Sequence, residues 1–75
     1  MGRVMFDYSR LKGRIKEKCG TQKAFAERLG VTESTMTGKL KNATHFSQSE
    51  ILKATDILEI SPDLLAYYFF TQMVQ

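Results

Sequence analysis

A chain of 75 residues with 43% apolar side chains, five glycines and one proline suits one small folded core and leaves no room for a second domain. One cysteine excludes an internal disulfide, and no apolar run approaches the roughly 20 residues that span a bilayer. A net charge of +3 is modest, but ten of the eleven Lys and Arg lie in residues 1–45 against four acids, a balance of +6, while residues 46–75 carry −3. This polarity suits a basic face that attracts polyanions and an acidic, aromatic end turned elsewhere.

No repeat, linker or sheet-like alternation is present, and helix punctuation recurs about every ten residues, so five short helices are expected. The segment Met1 to Met5 has no signal-peptide hydrophobic region, which suits a cytosolic protein. The first helix is expected from about Ser9 to Cys19, with Tyr8, Leu11 and Ile15 on one face and Gly20 as its left-handed stop. Its other face carries Arg10, Lys12, Arg14, Lys16 and Lys18, a pattern as common on a solvated surface as on a binding one. Thr21 caps a second helix, Gln22 to Leu29, that turns Phe25 and Leu29 inward and ends at Gly30.

Thr32 then caps a third helix reaching about Lys41, with Val31 placed to staple onto Met36. Ser47 and Glu50 form a capping-box pattern for a fourth helix, Gln48 to about Leu58, with Phe46 placed to staple onto Ile51. Ser61, Pro62 and Asp63 open a fifth, because proline is tolerated at the first helical position and an acid complements the dipole there. Tyr67, Tyr68, Phe69 and Phe70 are too many large rings for a core this small, so some must stay exposed. The tail from Thr71 to Gln75 has no clear code and is compatible with a frayed, extended or assembly-ordered state.

The informative stretch is Gln22 to Lys41. Ala26 lets two helices approach, Gly30 reverses the chain, and Phe25, Leu29, Val31 and Met36 fill the angle between them, as a tight helix-turn-helix requires. With Met36 and Leu40 inward, Ser34, Thr37, Gly38 and Lys41 occupy the opposite arc, and Thr32 and Glu33 stand at the projecting end. Short polar side chains there suit entry into a major groove, while Gln22 at the start of the second helix can bond a phosphate.

These residues resemble the motif of the Cro and phage-repressor class of helix-turn-helix proteins. From Met5 onward, including Phe6-Asp7-Tyr8-Ser9 and Gly20-Thr21-Gln22, the chain also resembles a small phage-associated Cro-like group. The class usually places an apolar residue three positions after the equivalent of Met36, where this chain has Lys39 and then Leu40. The resemblance implies a compact five-helix lambda-repressor-like fold, with Thr32, Glu33, Ser34, Thr37 and Gly38 on bases and Gln22, Lys23, Lys41 and Asn42 on phosphates. It also implies that Met1 to Val4 is an extension.

Two functions follow as expectations. One is a Cro-like transcriptional regulator that occupies a palindromic operator on double-stranded DNA as a homodimer, joined through the C-terminal aromatic segment with recognition helices about 34 Å apart. The other is a protein-interaction module, a repressor modulator on the same scaffold, that engages a partner regulator and binds DNA weakly or not at all. No cofactor is expected. Cys19 and His45 lack the ligand spacing of a metal site, no phosphate loop or nucleophile–base pair is present, and an enzyme is the remote option.

Overall fold

The computed structural model describes residues 5–73, so the expected extension, residues 1–4, lies outside the described residues, as do 74 and 75. The fold is all-helical: α1 (Ser9–Cys19), α2 (Gln22–Leu29), α3 (Glu33–Leu40), α4 (Gln48–Ile57), a 3-10 turn over Pro62–Leu64 and α5 (Leu65–Phe69). The fifth element thus opens as a 3-10 turn capped by Ser61 and becomes α-helical only at Leu65. Among the described residues the only strand-like pairing is one antiparallel bridge between Phe6 and Gln72, so the start of the tail is extended rather than frayed.

Local chemistry sets each helix start. The hydroxyls of Thr21, Thr32 and Ser47 accept from Ala24, Thr35 and Glu50 main-chain N–H groups, and the Glu50 carboxylate returns a bond to the Ser47 N–H. The helix ends share one device. Gly30, Asn42 and Glu59 take positive φ after α2, α3 and α4, and the next residue's N–H reaches back to Ala26, Gly38 and Thr55 carbonyls. Asn adopts this conformation readily, whereas Glu59 does so at a steric cost and is held by its surroundings. Arg14 supplies part of that support, donating to the Leu58 and Glu59 carbonyls at 2.9 Å each.

The core joins Tyr8, Leu11 and Ile15 of the first helix to Phe25, Ala26, Leu29, Met36, Leu40, Phe46, Ala54, Leu58, Ile60 and Phe69. Val31, Ile51 and Leu65, the other staple positions, pack partly buried against it. Edge-to-face rings connect Tyr8 to Phe46 and Phe46 to Phe69, so α5 is tied back to α1 through the loop after α3. Of the four consecutive aromatics only Phe69 is buried; Tyr67 lies under the Arg10 guanidinium and Phe70 meets the edge of Phe6. The excess rings therefore spread over α1 and the N-terminal segment. No helix among the described residues is long and apolar enough to cross a membrane.

Candidate nucleic-acid interface

The α2–α3 unit has the expected turn. Gly30 at φ 90° closes α2, its N–H bonding the Ala26 and Glu27 carbonyls, and Val31 lies against the core before the Thr32 cap. Met36 is fully buried and Leu40 nearly so, which rolls Thr32, Glu33, Ser34 and Thr35 into solvent. The third helix is therefore a separate, outward-facing element and not part of a longer rod.

The residues singled out in the sequence fall into three groups. Thr32, Glu33, Ser34, Lys23 and Lys41 are exposed. Thr37, Gly38 and Gln22 are half-buried, and the Gln22 Nε2 donates to Thr37 Oγ1 at 2.7 Å, a bond that fixes the start of α2 to the middle of α3. With Gln22 so occupied, the Thr37 hydroxyl keeps its own proton to donate outward. The Thr32 hydroxyl is likewise spent on its cap and on Thr35 Oγ1, so of the three hydroxyls singled out Ser34 is the least committed.

Asn42 corrects the phosphate expectation. It is 4% exposed, and its amide accepts from the Phe6 N–H at 2.8 Å and donates to the Phe6 carbonyl at 3.0 Å. This residue anchors the N-terminal segment to the end of α3. For Gly38 the structure imposes nothing, since a Cβ there meets only the Ala43 Cβ at 3.9 Å, ordinary contact.

Sequence reading missed the role of Lys39. Its position after Met36 looked like a departure from an apolar pattern, and the side chain is indeed buried, 7% exposed. Its ammonium is paired with Glu50 Oε1 at 3.0 Å, donates to the His45 carbonyl at 3.1 Å and approaches the face of Phe46. A lysine can hold such a place because its four-carbon stem packs as an apolar residue while its head finds acceptors. The same Glu50 oxygen accepts from the Ser47 N–H at 2.8 Å, so one carboxylate secures the start of α4 and the end of α3 together.

Burial opposes ionisation of Glu50, but the bonds from Ser47 and Lys39 outweigh it and hold the carboxyl below its ordinary value of 4.5. A depressed acid stabilises the fold fully above its unfolded value and loses that contribution as the pH falls through the lower folded value. We expect Glu50→Gln to lower the urea midpoint at pH 7, with the gap from the parent protein narrowing by pH 3. A gap that stays constant with pH would show that the Lys39 pair contributes nothing.

The basic side chains sort by partner. Arg14 and Lys18 engage Glu17 and Glu59, Arg10 covers Tyr67, and Arg28 approaches the Cys19 sulfur. Among the described residues Lys12, Lys16, Lys23 and Lys41 enter no ion pair. Lys12 and Lys16 line an open groove of about 310 Å³ with Thr21, Gln22 and Leu40, so the α1 lysines stand beside the α2 start and the α3 end. The sequence offered five basic residues on α1 and no means of choosing these two, because the choice depends on where Leu58, Glu59 and Tyr67 come to lie. Among the described residues no cluster of His, Cys, Asp or Glu could hold a metal ion.

One solved structure shares this arrangement closely: the modulator of repression of the temperate bacteriophage TP901-1 from Lactococcus lactis. It is 46% identical to this chain, with a TM-score of 0.77 over 87% of this chain and 88% of that one. None of the curated proteins matches significantly. Residues 4–72 match a family model described as protein of unknown function, DUF739, and the chain belongs to that family.

Proposed function

We propose that this protein is a modulator of phage repression, a non-enzymatic regulator that acts on a partner repressor from a helix-turn-helix scaffold. The observation that carries this reading is the likeness to the TP901-1 modulator of repression, at 46% identity across nearly the whole of both chains. The second half of the chain agrees with it, since every exposed large hydrophobic side chain among the described residues lies at position 52 or later, outside α2 and α3.

A second reading has its own support. The exposed hydroxyls and Glu33 at the start of α3, together with Lys12, Lys16, Lys23 and Lys41 around the α2 start and the α3 end, which enter no ion pair among the described residues, have the chemistry for direct contact with an operator. In that case Thr32, Glu33, Ser34, Thr37 and Gly38 face bases, Gln22, Lys23 and Lys41 face phosphates, and a homodimer on a palindromic site follows.

Fluorescence anisotropy of labelled promoter DNA separates the two. With the repressor of the same phage lineage present, this protein is expected to shift the repressor's half-saturation by about tenfold or more, a coupling in the usual range. Alone, it is expected to bind DNA weakly, with affinity that falls with salt and does not distinguish operator from random sequence. An unaltered repressor titration, together with selection of an inverted repeat by this protein alone, would replace the first reading by the second.

A further inference from the structure

We infer that the groove between α4 and α5 is the docking site for the partner repressor, and that it receives an amphipathic helix whose apolar side chains are flanked by Lys or Arg. The inference rests on the proposed function and adds to it the surface and the chemistry of the contact.

Every large hydrophobic side chain that is exposed among the described residues lies between positions 52 and 73: Leu52, Leu64, Tyr67, Phe70 and Met73. Tyr67 is covered in part by Arg10 and Phe70 meets the edge of Phe6 yet stays 46% exposed, while Leu52 is 67% exposed. These two, with Gln48, Ile51 and Leu65, line an open groove of about 280 Å³. Nothing in the fold needs Leu52, because α4 already buries Ala54 and packs Ile51 and Ile57 against the core. An exposed leucine beside a half-exposed phenylalanine offers apolar area that a partner can cover.

Charge selects the occupant. Asp56 follows Leu52 by one helical turn and so shares its face, and Asp63 lies two residues before Leu65. Among the described residues neither acid enters an ion pair, whereas Glu50 and Glu59 do. A second copy meeting this face about a two-fold axis brings each groove's acids towards their own duplicates, which opposes self-association. Nucleic acid is repelled for the same reason. A protein helix with an apolar stripe and basic flanks satisfies both the groove and the unpaired acids, in the helix-in-groove manner of recognition.

Isothermal titration of this protein with the repressor of its phage lineage tests the assignment. Leu52→Lys removes the apolar contact at an exposed position and is expected to weaken binding by at least about 30-fold. The double variant Asp56→Lys, Asp63→Lys is expected to weaken it by about tenfold and to flatten its dependence on salt. Ser34→Ala and Lys41→Ala on the α3 face should stay within about twofold of the parent protein. Circular dichroism of each variant establishes that the fold is kept.

Full binding by both groove variants, with loss in the α3 variants, overturns the groove and leaves the modulator reading intact. A parent protein that sediments as a dimer split by Leu52→Lys overturns it in favour of a second copy. Failure of the parent protein to bind the repressor overturns the modulator reading itself, and the groove assignment with it.

Discussion

Replacing Phe69 by alanine is expected to cost about 3–5 kcal/mol of stability, the range for losing a buried aromatic ring. Domains hold roughly 0.05–0.15 kcal/mol per residue, so a loss of that size takes much or all of what a 75-residue chain has. The reason for so large an effect is the shortness of α5. Five residues cannot sustain a helix alone, and although Leu65 and Tyr68 pack partly buried against the core, the one fully buried side chain of α5 is the Phe69 ring, 2% exposed and edge-on to Phe46. Phe46 in turn stands edge-on to Tyr8, so the loss propagates to the junction of α1 with the loop after α3. Tyr67→Ala supplies the comparison. Tyr67 is 47% exposed and its ring meets the Arg10 guanidinium and, edge-on, Tyr68, contacts worth about 0.5–1 kcal/mol each. Urea denaturation of the two variants should give midpoints well separated, and equal losses would show that Phe69 is no anchor.

The same comparison marks how far the sequence could be read. That four consecutive aromatics exceed the needs of a small core follows from volume alone. Which of them turns inward does not, because the segment begins as a 3-10 turn whose residue period differs from that of the α-helix it becomes. The starts of α2, α3 and α4 were legible, since Thr21, Thr32 and the Ser47–Glu50 pair act on main-chain groups within four residues of themselves. Gly20 and Gly30 were legible for the same local reason.

What escaped were the side chains whose partners are distant in sequence. Asn42 looked like a polar residue at the end of a recognition helix, yet its partner is Phe6, 36 residues away. Lys39 looked like a misplaced charge in an apolar register, and only the approach of Glu50 and the His45 carbonyl gives the burial a physical basis. The candidate surface was legible to the same degree. The exposed start of α3 follows from helical period once Met36 and Leu40 are placed inside, whereas the bond from Gln22 to Thr37 needs the crossing of two helices to be known. Charge showed the opposite pattern: the imbalance between the two halves is plain in the sequence, and the structure resolves it into lysines around α2 and α3 and, in the second half, Asp56 and Asp63, which enter no ion pair among the described residues.

The operator-binding reading of the function needs α3 to be held clear of the rest of the molecule, and that placement depends on Gly30. At φ 90° and ψ 26° the residue lies in the left-handed region, where a side chain costs about 1–2 kcal/mol and a β-branched one more. Gly30→Val is therefore expected to lower stability by about 2 kcal/mol or more, and Gly30→Asn by less than about 1, because asparagine tolerates this conformation. The pair separates conformation from space. A Cβ at position 30 approaches the Lys53 Nζ at 3.4 Å whichever residue carries it, and that ammonium sits at the end of a flexible chain that can move aside. Equal losses in urea denaturation would mean that crowding at Lys53 sets the cost; a loss confined to valine assigns it to the backbone. In the second case amide chemical-shift changes should concentrate in residues 26–36, where the Ala26 carbonyl holds both Gly30 and Val31 and the Thr32 cap begins α3. A turn so fixed leaves α3 one orientation relative to α2, and the surface it presents is then set by which of its side chains the core consumes.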